Sequence, residues 1–180
     1  MMEPVTLPER KTDLPDKPWA TTGTGCKREH NVVNSLYLQA TELEKYNRER
    51  FERYDVINKN EQRSEAYLLD DADIVIVAFG ACARIARSAI NKARAEGIKV
   101  GLLRPITLWP FPVDALEKTI PTAKAYLSVE MNMGQMIDDV KLALNGAHPV
   151  EFYGRTGGVI PTPAEVLAKI EEMNEKEGTR

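Results

Sequence analysis

The chain has 180 residues, 43% of them hydrophobic, which is room for one ordinary domain with a real core plus an extension. Its formal net charge is −3 and no basic block stands out, so the electrostatic case for nucleic-acid binding is absent. Two cysteines, Cys26 and Cys82, and two histidines far apart in sequence, His30 and His148, are too few for an iron–sulfur cluster, which takes about four thiolates, or for an ordinary zinc site. No apolar run approaches a membrane span, and the opening residues carry acids and prolines instead of a charged-then-apolar leader; a cytoplasmic setting is the expectation.

Residues 1–30 are rich in proline, glycine and threonine and show neither helical nor strand periodicity, which predicts an extended arm or linker. Residues 31–63 read as one long helix, with Val32, Val33, Leu36, Ala40, Leu43, Tyr46, Tyr54 and Ile57 on one stripe and Glu44–Arg48 and Glu49–Arg53 spaced as helical ion pairs. From residue 66 to 180 the pattern changes to alternating strands and helices. Ala66-Tyr67-Leu68-Leu69 is a short strand candidate, and Ile74 to Phe79 is a continuous run of the kind buried on both faces. Gly80-Ala81-Cys82 turns into a helix carrying Ile85, Ala86, Ala89, Ile90 and Ala93, closed by Gly97. Ile98 to Leu103 is the next strand. The proline-rich loop Arg104 to Pro112 follows, and Pro112 opens a short helix. Ala125 to Glu130 is a strand that breaks at a polar turn around Asn132 and Gly134. Met136, Ile137, Val140, Ala143 and Leu144 then recur at helical spacing. Val150 to Tyr153 is the last strand, and Thr162-Pro163-Ala164-Glu165 is a capping box before the last helix. Strands alternating with helices at this rhythm imply an α/β fold with a parallel sheet covered on both faces.

Glu130, Asn132 and Gln135 fall where a strand hands over to a helix, at the carboxyl edge where open α/β sheets place ligands and partners. Arg104 and Arg155 also follow strands. Each offers a planar fork for a carboxylate or other anion, and each can equally pin its own loop. Phe79-Gly80-Ala81-Cys82 has one glycine of the three that a dinucleotide fingerprint needs, so a tight turn is the better reading. Cys82 at a helix start is a candidate for a lowered pKa, but no His, Asn or Asp is set beside it, which favours a buried small residue. No second carboxylate, base or nucleophile accompanies Glu130, so residue chemistry gives a binding or interface domain and no self-sufficient active site.

Three stretches, Val129 to Met136, Leu103 to Pro112 and Tyr153 to Gly158, resemble the C-terminal part of the α subunit of 2-oxoacid:ferredoxin oxidoreductases. The opening Met1 to Pro8 resembles the segment after that subunit's first domain, and Lys17-Pro18-Trp19 its linker. The likeness is greatest to the branched-chain type, acting on 2-ketoisovalerate (3-methyl-2-oxobutanoate), with the 2-oxoglutarate type next. The resemblance implies a three-layer α/β/α fold like the transketolase C-terminal domain: five strands, mostly parallel, with one antiparallel edge strand. It implies a reaction in which a 2-oxoacid is decarboxylated on thiamine diphosphate with magnesium. Electrons pass through iron–sulfur clusters to ferredoxin, and the acyl group passes to coenzyme A. It implies as partners the other domain of the same subunit and the β, γ and δ-type subunits that carry the diphosphate-binding domain and the clusters. No catalytic residue, cofactor ligand or metal ligand carries over to this chain. What carries over is a supporting role at an interface or rim for Arg104, Glu130, Asn132, Gly134, Gln135 and Arg155. The alternatives are the C-terminal domain of a transketolase or of a 2-oxoacid dehydrogenase E1-β protein, against which the Arg104 to Pro112 sequence speaks, and a stand-alone nucleotide-binding module.

Overall fold

A computed structural model describes residues 6–178. Residues 1–5 of the arm and residues 179–180 lie outside the described residues, so the likeness of Met1 to Pro8 is only partly covered. The chain divides into two units, Met1–Tyr46 and Asn47–Arg180.

In the first unit, residues 6–39 form neither helix nor strand. Turns at Lys17–Ala20 and Thr24–Lys27 are closed by backbone hydrogen bonds of 2.9 and 3.0 Å. Arg28 Nη2 donates to the carbonyls of Ala20 and Gly23, and Asn31 Nδ2 to that of Pro18. The arm is therefore ordered by side-chain bonds to its own backbone. The helix expected over 31–63 is shorter: α1 spans Ala40–Asn60. The physical reason lies at Asn34, whose Oδ1 accepts the Leu36 N–H at 2.9 Å, a local turn that competes with the helical ladder. The expected apolar stripe is half-buried only at its end, at Tyr54 and Ile57. No α1 residue is buried, and Val32 and Val33 are each 87% exposed.

The second unit holds a five-stranded sheet in the order β1-β3-β2-β4-β5, built from β1 (Ser64–Tyr67), β2 (Ile74–Val77), β3 (Val100–Pro105), β4 (Ala125–Glu130) and β5 (Val150–Gly154). β1 pairs antiparallel with β3, and all the other pairs are parallel. β1 begins two residues before the expected Ala66 because Glu65 pairs across to Arg104, and it ends where Leu68 takes a positive φ of 53°. Helices α2 (Gly80–Ala95) and α5 (Pro163–Gly178) cover one face, packing Ile85, Ala89, Ile90, Val166 and Ile170 on Ile74, Ile76, Leu102 and Leu127. Helices α3 (Val113–Glu117) and α4 (Met136–Leu144) cover the other, packing Leu116, Met136, Val140 and Leu144 on Val75, Val77, Leu103 and Tyr126. β2 and β4 are buried along their whole length, β2 as its unbroken apolar run requires and β4 with two polar residues, Ser128 and Glu130, buried at its carboxyl end. The last strand is half-buried throughout because it forms an edge.

Two glycines are fixed by packing or turning. A Cβ on Gly101 would run into the carbonyl oxygen of Leu68, so the β1–β2 connection crosses β3 only where a side chain is missing. Gly97, at φ 87°, closes α2 as its sequence position predicts. The expected capping box is present: the Thr162 N–H donates to Glu165 Oε2 at 2.7 Å and the Glu165 N–H to Thr162 Oγ1 at 3.2 Å.

Candidate functional site

Strand connectivity selects the site. The chain leaves β2 through α2 toward β3 and leaves β4 through α4 toward β5, so the two connections depart in opposite directions over opposite faces. Between the carboxyl ends of adjacent β2 and β4 lies the topological switch point, where open α/β sheets leave a crevice. A cavity of about 220 Å³ occupies it, lined by Phe79, Gly80, Ala81 and Cys82 from the β2–α2 turn and Val129, Glu130, Met131 and Asn132 from the end of β4.

The α2 wall begins at Gly80, whose φ of 57° makes the tight turn that the single glycine predicts. Phe79 is extended and supplies no side-chain cap, so the first-turn N–H groups of α2 are left without one. Cys82 is buried. Burial, and after it the nearby Glu130 charge, pushes its thiol above the ordinary value, the reverse of an activated nucleophile.

The β4 wall is organised by Glu130. Its side chain does not reach the rim: the residue is 2% exposed and turned inward. Oε2 accepts the N–H groups of Met136 at 2.8 Å and Gln135 at 3.1 Å. Oε1 accepts the Ile137 N–H at 2.9 Å and the Ser128 hydroxyl at 2.9 Å. Burial by itself would raise this carboxyl. The Met136 and Gln135 N–H groups, with the Asn132 and Ser128 side chains, outweigh burial and hold it below the ordinary glutamate value. Glu130, expected at an interface or rim in a supporting role, thus lies behind the rim, with its oxygens spent on the orphan donors at the start of α4 and on the Ser128 hydroxyl.

The other expected residues are distributed along the same edge. Asn132 Oδ1 accepts the Gly134 N–H at 2.7 Å, and Gly134 has a φ of 102°, so this pair shapes the turn. Gln135 is exposed and immediately precedes α4, while Met131 and Met133 are 41% and 81% exposed. The Arg155 N–H donates to the Glu130 carbonyl at 3.2 Å, joining the ends of β4 and β5, and its guanidinium lies 3.4 Å from Glu165. Arg104 Nη1 donates to Glu65 Oε2 at 2.7 Å. Arg104 and Arg155 stand at the ends of strands three spacings apart, about 14 Å at the usual interstrand distance, so they form no joint anion clamp. Each arginine is paired with a carboxylate of its own chain, Arg104 with Glu65 of β1 and Arg155 with Glu165 of α5.

Sequence reasoning missed Glu65 and Arg87, which with Arg104 form a bridge from β1 to α2 and β3. It also missed the roles of Phe79 and Met131 as lips of the crevice. The one available signal was the pairing of a short strand's only acid with the only base in the next-but-one strand. A second cleft of about 520 Å³ lies among Phe51, Tyr54, Asp55, Asn58 and Trp109, where Tyr54 meets the Trp109 ring edge-on at 5.3 Å.

Two cysteines do not supply the four thiolates that an iron–sulfur cluster takes. Among the described residues no three His, Cys, Asp or Glu side chains gather as metal ligands, and Cys82 is buried in the core while Cys26 belongs to the arm. No helix among the described residues is long and apolar enough to cross a membrane.

Residues 72–166 match the family described as pyruvate:ferredoxin oxidoreductase core domain II. The ketoisovalerate oxidoreductase subunit VorB of Methanothermobacter marburgensis is 43% identical over 174 residues, covering 96% of this chain and 49% of that protein. The 2-oxoglutarate synthase subunit KorA of the same organism is 38% identical over 104 residues, 58% of this chain and 28% of that one. The chain thus spans about half the length of the VorB relatives that it matches. Among solved structures, the 2-oxoglutarate:ferredoxin oxidoreductase from Magnetococcus marinus, with 2-oxoglutarate, coenzyme A and succinyl-CoA bound, superposes with a TM-score of 0.62 at 23% identity over 76% of this chain and 24% of that one. A split-gene transketolase, an inactive β4 tetramer, gives 0.54 at 23% identity over 61% of this chain and 40% of that one. At such identities these two likenesses speak for the fold, which is the transketolase-like α/β fold expected.

Proposed function

The chain belongs to the pyruvate:ferredoxin oxidoreductase core domain II family, and from that premise we propose that it is the subunit-contact domain of a thiamine-diphosphate-dependent 2-oxoacid:ferredoxin oxidoreductase. The complete enzyme oxidatively decarboxylates a branched-chain 2-oxoacid to its acyl-CoA and reduces ferredoxin, in the cytoplasm. The observation that carries this reading is the match to VorB along 96% of the chain, joined to a switch-point crevice whose carboxylate, Glu130, is spent on backbone donors and whose thiol, Cys82, is pushed up by burial. The transketolase, E1-β and nucleotide-module alternatives are not favoured, because the family match is to the ferredoxin-linked enzymes.

In this reading thiamine diphosphate, magnesium, the clusters and coenzyme A are held by other polypeptide, namely the other domain of the same subunit and its companion subunits. The carboxyl-edge lip, with Met131, Asn132, Met133 and Gln135 facing out, is a contact surface around the thiamine site. Gly134 and Arg155 hold its shape, and Arg104 supports the same sheet edge farther along by tying β3 to β1. An amide-and-methionine lip suits a protein surface: methionine adapts its shape to an apolar neighbour, and the amides supply orientation. Isothermal titration of thiamine diphosphate and magnesium into this 180-residue chain is the test. No micromolar binding is expected, and micromolar binding would overturn the reading.

A further inference from the structure

We propose that Glu130 is the positioning residue of the lip: its carboxylate clamps residues 131–135 into the arrangement that meets the companion subunit. The proposal rests on the subunit-contact reading above for its partner, and on geometry alone for the clamp.

An ordinary helix cap comes from the residue next to the helix and accepts one or two first-turn N–H groups. Here the residue at that position, Gln135, makes no side-chain cap bond. The cap comes from Glu130, at the far end of the loop, and accepts three successive backbone donors, those of Gln135, Met136 and Ile137. One residue therefore holds both ends of a five-residue loop. Its backbone is fixed in β4, and its carbonyl takes the Arg155 N–H. Its side chain reaches across and holds the loop's exit. The loop cannot change its span without giving up charge-assisted hydrogen bonds at a buried carboxylate, which are costly to leave unmade. The Asn132–Gly134 turn shapes only the middle. What the clamp presents is Met133, 81% exposed, with Gln135 exposed beside it.

Only a carboxylate serves. A glutamine at this position keeps the shape but has one acceptor oxygen, and it turns an NH₂ group toward N–H donors. Glu130→Gln and Glu130→Ala should both loosen the loop. In Glu130→Ala, added formate should supply the missing oxygens to the same three donors, a rescue that lost packing alone does not show.

The test is residue-resolved amide hydrogen exchange on the chain, with Tyr126→Phe as a control that perturbs the same face of the core elsewhere. Amides of residues 133–137 are expected to exchange at least tenfold faster in both Glu130 variants, with α2 and β2 unchanged, and formate should restore protection in Glu130→Ala. Loss of protection spread over the whole domain, or no response to formate in a folded Glu130→Ala, overturns the clamp. Glu130→Gln, nearly isosteric, keeps the question open to measurement if Glu130→Ala does not fold. A second readout is association with the co-expressed subunit that carries the diphosphate-binding domain. Both Glu130→Gln and Met133→Ala are expected to weaken it about tenfold. Weakening by Met133→Ala but not by Glu130→Gln overturns the positioning role and leaves the contact reading intact. No effect of Met133→Ala, with a loosened loop in the Glu130 variants, overturns the contact reading and supports the clamp.

Discussion

Glu65 and Arg104 face each other across the β1–β3 pair and are joined by a hydrogen bond of 2.7 Å from Nη1 to Oε2. The same carboxylate accepts from Arg87 on α2, whose guanidinium also lies 5.0 Å from the Tyr67 ring. One acid on a four-residue edge strand thus ties that strand to the sheet and to the covering helix. The Arg104 and Arg87 hydrogen bonds hold its carboxyl below the ordinary value against the opposing effect of burial.

All three side chains are more than a third exposed, so solvent screens the bridge. Glu65→Gln is expected to cost no more than ~1 kcal/mol in urea unfolding. Exchange should rise first at the β1 amides and not in β2. A cost of several kcal/mol would show the bridge to be a keystone and not a tether.

Tyr126 is completely buried, and its hydroxyl shares a 2.6 Å hydrogen bond with Thr119, whose own hydroxyl also donates to the Leu116 carbonyl at 2.7 Å. Tyr126→Phe removes one partner of a buried pair, but Thr119 keeps its second. The expected loss is about 1 kcal/mol, read from the shift in denaturation midpoint at unchanged slope.

Gly101→Ala places a methyl group against the Leu68 carbonyl, a backbone atom that has no rotamer to change. The expected destabilisation is about 1–3 kcal/mol, the usual range for overpacking. A neutral result in thermal unfolding would mean that the β1–β2 connection yields.

The Glu130 carboxyl is held below its ordinary value, so the sign of its pH dependence is fixed. Its contribution is fully present above the unfolded-state value of about 4.3 and is lost as pH falls through the lower folded-state value. At pH 7, Glu130→Gln is expected to be less stable than the parent by about 1.5–3 kcal/mol. Urea titrations repeated toward lower pH should show that gap closing. A gap of constant size down to pH 3 would mean that the carboxylate charge contributes nothing to the cap.

The order and kind of the core elements were set by local chemistry and were legible in the sequence. An unbroken β-branched run made β2 a buried strand, because only a strand covered on both faces tolerates apolar residues at every position, and the apolar start of β4 marked it as a strand too. Gly97, Pro112 and the Thr162–Glu165 box ended or began helices by backbone conformation and capping alone. The stretch 31–39 escaped, because the Asn34 side chain accepts the Leu36 N–H and competes with a helical pattern whose apolar residues Val32, Val33 and Leu36 stay exposed. The roles of the polar residues were not legible. Whether Glu130 faces out or in depends on where the α4 donors come to rest six residues on, and whether Arg104 is free depends on the antiparallel register of β1. Residue type and spacing determine which groups a chain carries. Only the packed sheet, by bringing distant donors and acceptors within 3 Å, decides which of them remain available to a partner.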